Sequence, residues 1–204
     1  MRPSAAFNLG DRTARKYRGK MASGYEAKRK KQIRWGEENA AVEDMLTELR
    51  PQTVIDCPVG TGRFFYLYHQ LSVATVTGVD SSEQMLAIAK GKLKNKKVPP
   101  SYVLQVGDAR KLEGLSPSDV IVAVRFLDLI DEPSMQAAMR GFMKLAKRSI
   151  ICTIRFGDKY VLKSNTAEHD RKKFLAMISR GGFKITGDVP IFEAGWHVLR
   201  MDRR

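Results

Sequence analysis

The residues of this chain best suited to chemistry are acids and glycines at the ends of apolar runs. "VIDCPVGTGRFF", residues 54–65, is a strand-forming run that closes in Asp56, turns through Gly60, Thr61 and Gly62, and resumes at once with bulky apolar side chains. Such a turn lets backbone N–H groups approach a ligand with an acid beside them. A phosphate-binding P-loop needs Lys and Ser/Thr directly after its second glycine, but Arg63 and Phe64 follow Gly62. A dinucleotide turn needs a small residue where Phe65 stands. A ring there would push the helix off the strand and spoil the seat of a pyrophosphate. Farther along, Asp80, Asp108 and Asp128 each follow an apolar run, and Arg125 shortly precedes the last. His69, His169 and His197 share no metal-ligand spacing. Cys57 and Cys152 sit inside apolar runs and read as buried thiols.

These residues need a scaffold, and the order of elements suggests one. "TVIDCPV", "TVTGVD", "YVLQVGD", "DVIVAVRFL" and "SIICTIRF" read as strands. The fourth is a continuous apolar run of the kind buried on both faces. Between them, "GRFFYLYHQL", "SSEQMLAIAKGKL" with a capping box of Ser81 and Gln84, and Pro133 to Lys147 read as helices. Another helix runs from Glu37 to Leu49, and a last one from Ala167 to Ser179 before Gly181 and Gly182. "FKITGDVPIF" and "WHVLRM" are strands close enough to form a hairpin. Alternation of this kind means a mostly parallel sheet with helices on both faces. Ligands of such sheets lie beyond the carboxyl ends of the strands. Asp56 to Gly62, Asp80, Asp108 and Arg125 to Asp128 all fall there.

Size and charge bound the reading further. With 204 residues, 43% of them hydrophobic, the chain suits one domain, organised as a basic extension with cap helices over residues 1–50 and a main domain over residues 51–204. No apolar run is longer than that of Val120 to Val124, which is far short of a membrane span. "MRPSAAFNLG" lacks the core of a secretion signal, so a cytoplasmic protein is expected. Of the net charge of +14, +9 falls in residues 1–34, where eleven Lys/Arg face only Asp11 and Glu26. Lys90 to Lys97 adds five lysines. Such clusters attract phosphates or simply keep a face solvated.

A turn with a strand-end acid but without the third glycine also fits S-adenosylmethionine, which has no pyrophosphate to seat. At this point the sequence resembles the class I S-adenosylmethionine-dependent methyltransferases. "DCPVGTG" is similar to their first motif, D-x-G-x-G-x-G, with Pro58 in place of the first glycine. The resemblance implies that Asp56 and the backbone of Gly60, Thr61 and Gly62 hold the methionine end of the cofactor. It places Asp80 on the ribose hydroxyls and Ser81 at the border of the adenine. "VGDARKL" resembles the third landmark, with Asp108 accepting from the adenine amine and the Ala109 N–H meeting the ring. The N-terminal "YEAKRKKQIRWGEE" resembles a cap helix of some bacterial relatives, in which Tyr25, Arg29 and Trp35 would close the site. The fold implied is a three-layer Rossmann-like α/β methyltransferase fold. It has a mostly parallel seven-stranded sheet with a terminal antiparallel strand, and an N-terminal helical cap.

The reaction implied is methyl transfer to a small molecule or to the end of a glycan or lipid. Asp128 is the best-placed candidate base, and Arg125 could orient an anionic substrate. Many relatives carry a histidine near Leu129, and this chain does not. The Asn/Asp-Pro-Pro-Tyr/Phe motif of exocyclic base-amine methylation is missing, since "VRFLD" occupies its place. Two alternatives remain. One is a nucleic-acid methyltransferase that grips phosphates through Arg12 to Arg34 and Lys90 to Lys97. The other is a different use of the same cofactor, as a lyase or in aminocarboxypropyl transfer, which cofactor motifs do not separate.

Overall fold

Alternate residues of the central strands point to opposite faces, and both faces are apolar. That pattern dictates a buried sheet between two helical layers. In the computed structural model, which describes residues 32–94, 100–162, 166–191 and 195–204, strand β1 spans Thr53–Asp56, β2 Thr75–Asp80, β3 Ser101–Val106, β4 Ser118–Ala123 and β5 Ala146–Gly157. They run parallel in the order β3-β2-β1-β4-β5. Ile55, Ile121 and Ile150 pack into one core with helices α4 (Glu132–Leu145) and α5 (Arg171–Arg180). Val54, Val120 and Ile151 pack into the other with α1 (Ile33–Leu49), α2 (Phe65–Gln70) and α3 (Glu83–Leu93). The result is the expected three-layer α/β arrangement.

The chain closes with β8 (Phe183–Pro190) and β9 (Trp196–Arg203). Strand β9 inserts between β5 and β8 and pairs antiparallel with both. The seven expected strands are therefore present, with the antiparallel one supplied by the terminal hairpin. Two short strands join them, β6 (Val161–Leu162) and β7 (Ala167–Asp170). Strand β7 extends the end of β5 through the pairs Phe156↔His169 and Gly157↔Asp170.

That ribbon corrects one expected boundary. Ala167 does not begin a helix; α5 starts at Arg171, where the Asp170 side chain accepts from the Lys173 N–H at 3.0 Å. Helix α3 also differs, since Ser82 rather than Ser81 is its cap, accepting from the Met85 N–H at 3.3 Å. Helix α1 begins earlier than the expected Glu37, and its extra first turn carries Trp35. Among the described residues, no helix is long and apolar enough to cross a membrane.

Candidate active site

Strand β1 delivers Asp56 to its carboxyl end, and the glycine turn follows directly. Gly60 and Gly62 have φ of 56° and 74°, the left-handed region that side chains resist. A Cβ on Gly62 would run into the Phe65 ring. The turn is pinned from β2, because Asp80 Oδ2 accepts from the Gly60 N–H at 2.8 Å and Val79 O accepts from the Val59 N–H at 2.9 Å. Asp80 Oδ1 accepts from the Ser82 N–H at 2.9 Å, so this one carboxylate ties the turn to the start of α3. Burial raises the Asp80 pKa, and the Ser82 and Gly60 N–H groups oppose that rise.

Asp56 is buried, with the Tyr68 hydroxyl donating to its Oδ2 at 3.0 Å. Burial pushes its carboxyl up to about 7, against the Tyr68 hydrogen bond and with help from the Asp80 charge. Asp108 is held differently. Arg110 donates to it from its backbone N–H, from Nε and from Nη2, the last at 2.6 Å. Burial would raise the Asp108 pKa, but Arg110 outweighs it and holds the carboxyl below its ordinary range.

These groups surround a cleft of about 120 Å³ at the carboxyl ends of the strands. Asp80, Ser81, Asp108, Ala109 and Arg110 line one end. Val124, Arg125, Phe126, Leu129 and Ile130 line the wall after β4. A second, smaller cavity of about 40 Å³ is lined by Asp56, Thr61, Arg63 and Trp35, and it shares Pro58, Gly60, Val124 and Arg125 with the first. The structure thus brings Asp56, Gly60, Thr61, Trp35, Asp80, Ser81, Asp108, Ala109 and Arg125 around one continuous depression. Gly62 shapes the turn but lines neither cavity.

Asp128 stands apart. It is buried in a short 3-10 turn, Leu127–Leu129, outside the lining of both cavities. Its Oδ2 lies 3.7 Å from Arg34 Nη2, and among the described residues Oδ1 has no hydrogen-bond partner. Burial pushes its carboxyl up to about 6, with Arg34 working the other way. Tyr25 and Arg29 lie outside the described residues, as do most of Arg12 to Arg34 and Lys96 and Lys97 of the second basic run. Among the described residues, no group of three His, Cys, Asp or Glu side chains is arranged to hold a metal ion.

The residue that reading the sequence missed is Glu38. It sits on the apolar stripe of α1 with Ala41, Val42, Met45, Leu46 and Leu49, and it is fully buried. Three arginines converge on it: Arg34 Nε at 2.6 Å, Arg63 Nη1 at 2.8 Å and Arg125 Nε at 2.6 Å. Burial works to raise its pKa, but Arg125, Arg34 and Arg63 together hold the carboxyl below its ordinary range. The Arg63 guanidinium also stacks 3.7 Å from the Trp35 ring, and Arg34 lies 3.4 Å from that of Trp196. An acid at an inward helical position was the signal available in the sequence.

Residues 54–149 match the family model described as "Methyltransferase domain". No curated protein matches the chain. Among solved structures, magnesium protoporphyrin IX methyltransferase from Synechocystis PCC 6803, with bound S-adenosylmethionine, superposes with a TM-score of 0.70 at 15% identity, covering 98% of this chain and 100% of its own. The CcbJ methyltransferase from Streptomyces caelestis gives 0.68 at 17% identity, covering 92% and 98%. CalS10, an amino pentose methyltransferase from Micromonospora echinaspora, gives 0.67 at 15% identity, covering 88% and 96%. The match over residues 54–149 is thus to a methyltransferase domain, and the whole chain shares the fold of these three methyltransferases.

Proposed function

We propose that the chain carries the methyl group of S-adenosylmethionine to a small-molecule acceptor or to the terminal group of a glycan or lipid. The observation that carries this reading is the cleft itself, which has a polar, acid-lined end and a largely apolar wall after β4. In our reading the cofactor takes the first end. Asp80 faces the ribose hydroxyls with the lone pairs left by Gly60 and Ser82, while Ser81, Asp108 and Ala109 border the adenine. Asp56, the Gly60 to Gly62 turn, Thr61 and Trp35 enclose the methionine end, with Tyr25 and Arg29 as further cap residues. We assign residues 51–204 to the methyltransferase domain and residues 1–50 to its basic extension and cap.

The wall of Val124, Phe126, Leu129 and Ile130 then faces the acceptor. The sulfonium already makes the methyl group electrophilic. When bound, the cofactor would give this methyl group to a nucleophile of the acceptor, with its carbon–sulfur bond broken and S-adenosylhomocysteine released as a neutral thioether. The chain's part is to align the two and exclude water, which in favourable cases lowers a barrier by roughly 7–11 kcal/mol. Arg125 orients the acceptor. Asp128 acts as base only for an acceptor that must lose a proton, and it would have to turn toward the cleft to do so. Two of the fold neighbours are named for a magnesium porphyrin and an amino pentose, which supports acceptors of this size.

The deciding experiment incubates the full-length protein with labelled cofactor and a cell extract and follows products by mass spectrometry. A labelled methyl group on a small metabolite or lipid, with S-adenosylhomocysteine formed, is expected. Labelled RNA would select the nucleic-acid alternative, and methylthioadenosine would mean a different use of the cofactor.

A further inference from the structure

Arg125 occupies a position that costs stability. It is a non-glycine residue with φ of 57°, nine-tenths buried, directly after the apolar run of β4. Its backbone N–H donates to Thr153 Oγ1 at 2.6 Å. Its side chain is spread by fixed acceptors, with Nε on Glu38 Oε2 at 2.6 Å and Nη1 on Gln32 Oε1 at 2.9 Å. The third nitrogen, Nη2, is buried with no hydrogen-bond partner among the described residues. An unpaired buried donor on a charged group is expensive. Yet Arg125 is also a residue that lines both cavities, at their junction.

The surroundings favour a negative partner. Arg34, Arg63 and Arg125 share the one carboxylate of Glu38, Asp128 stands 3.7 Å from Arg34, and the charge of Asp56 acts on Arg63. Among the described residues none of these acids bonds to Arg125 Nη2. A sulfonium bound alongside would add a positive charge. Beyond Arg125 the wall of the cleft is apolar: Val124, Phe126, Leu129 and Ile130.

Resting on the methyl-transfer reading, we propose that the acceptor is an amphiphilic anion, an apolar body bearing a carboxylate or phosphate, and that Arg125 Nη2 receives its charge. Glu38 acts as a positioning residue, since it aims the guanidinium without touching the acceptor.

The test uses full-length protein saturated with S-adenosylhomocysteine, so that the methionine carboxylate is already seated. Benzoate, phenyl phosphate and the uncharged benzamide are titrated in turn. The Arg125 Nε–Hε signal, identified by its loss in Arg125→Lys, is followed by NMR. One of the two anions should bind about tenfold more tightly than benzamide and shift that signal without displacing the cofactor product. The stronger of the two names the head group. Arg125→Gln should abolish the preference, and Arg125→Lys, which keeps the charge but not the fork, should retain part of it. Where a variant fails to fold, the wild-type preference and the Arg125 signal decide alone. Equal binding of benzamide, or a preference that survives in Arg125→Gln, would overturn the proposal. Displacement of S-adenosylhomocysteine by the anions would also overturn it, because Nη2 would then serve the cofactor's own carboxylate. Failure of the wild type to bind S-adenosylhomocysteine would instead break the cofactor reading beneath it.

Discussion

Glu38 and Arg125 stand 87 positions apart in the chain, and their side chains meet at 2.6 Å in a fully buried ion pair. Through this contact and the one to Arg63, a single carboxylate of α1 fixes both the exit of the glycine turn and the residue after β4. Removing one partner of a buried pair leaves an uncompensated charge and costs about 3–5 kcal/mol. Glu38→Ala strands three guanidinium groups at once, so a loss at the upper end of that range is expected by urea denaturation at neutral pH. Glu38→Gln, which keeps an acceptor, should lose less. The folded pKa is depressed, so the contribution is present above the unfolded value of 4.5 and is lost as pH falls through the folded one. The gap between wild type and Glu38→Gln should therefore narrow below about pH 4. A gap that stays constant down to pH 3 would refute the ion-pair account.

Asp80 and Asp108 should separate under substitution. Asp80 is buried and bonds the glycine turn and α3 together, so Asp80→Ala removes a structural tie as well as the proposed ribose contact. S-adenosylmethionine affinity should fall by about 1.5–3 kcal/mol, and thermal stability should fall with it.

Asp108 is about one-third exposed, and among the described residues its side-chain bonds go to Arg110. Asp108→Asn should leave the melting temperature nearly unchanged, because an exposed local pair contributes about 0–1 kcal/mol. Calorimetry should still show weaker cofactor binding. If the variant unfolds with its affinity intact, Asp108 is a structural acid and not an adenine contact.

What the sequence revealed follows range. Asp56, Gly60 and Gly62 lie within one strand–turn unit whose geometry is set by neighbours in the chain, so their types and spacing carried the site. Asp80 was legible as a strand end, but its bond to Gly60 was not, because that contact needs β2 beside β1 in register. Glu38 was invisible as a site residue, since its meaning lies in Arg63 and Arg125, brought near only by the folded sheet. Strand β7 was misread for a related reason. Ala167, Glu168, His169 and Asp170 have little intrinsic strand preference, and pairing with the end of β5 extends them.

The pH dependence of cofactor binding should trace to Asp56. Its folded carboxyl lies at about 7 against 3.8 for an unperturbed one. A raised pKa means that the stability contribution is fully present below the unfolded value and is lost as pH rises through about 7. A difference of that size bounds the loss at about 4 kcal/mol. Free wild-type protein should therefore be less stable at pH 8 than at pH 5, and Asp56→Asn, which can still accept from Tyr68, should flatten that slope. With the methionine end placed as proposed, cofactor binding should reverse the preference, because an ammonium group beside Asp56 would favour the carboxylate. Below about pH 7 binding must expel the Asp56 proton, so affinity should rise with pH and level off above it. Calorimetry at about pH 6 in two buffers of different ionisation enthalpy should register release of close to one proton in wild type and almost none in Asp56→Asn. Equal heats in both buffers for the wild type would remove Asp56 from the methionine end of the site.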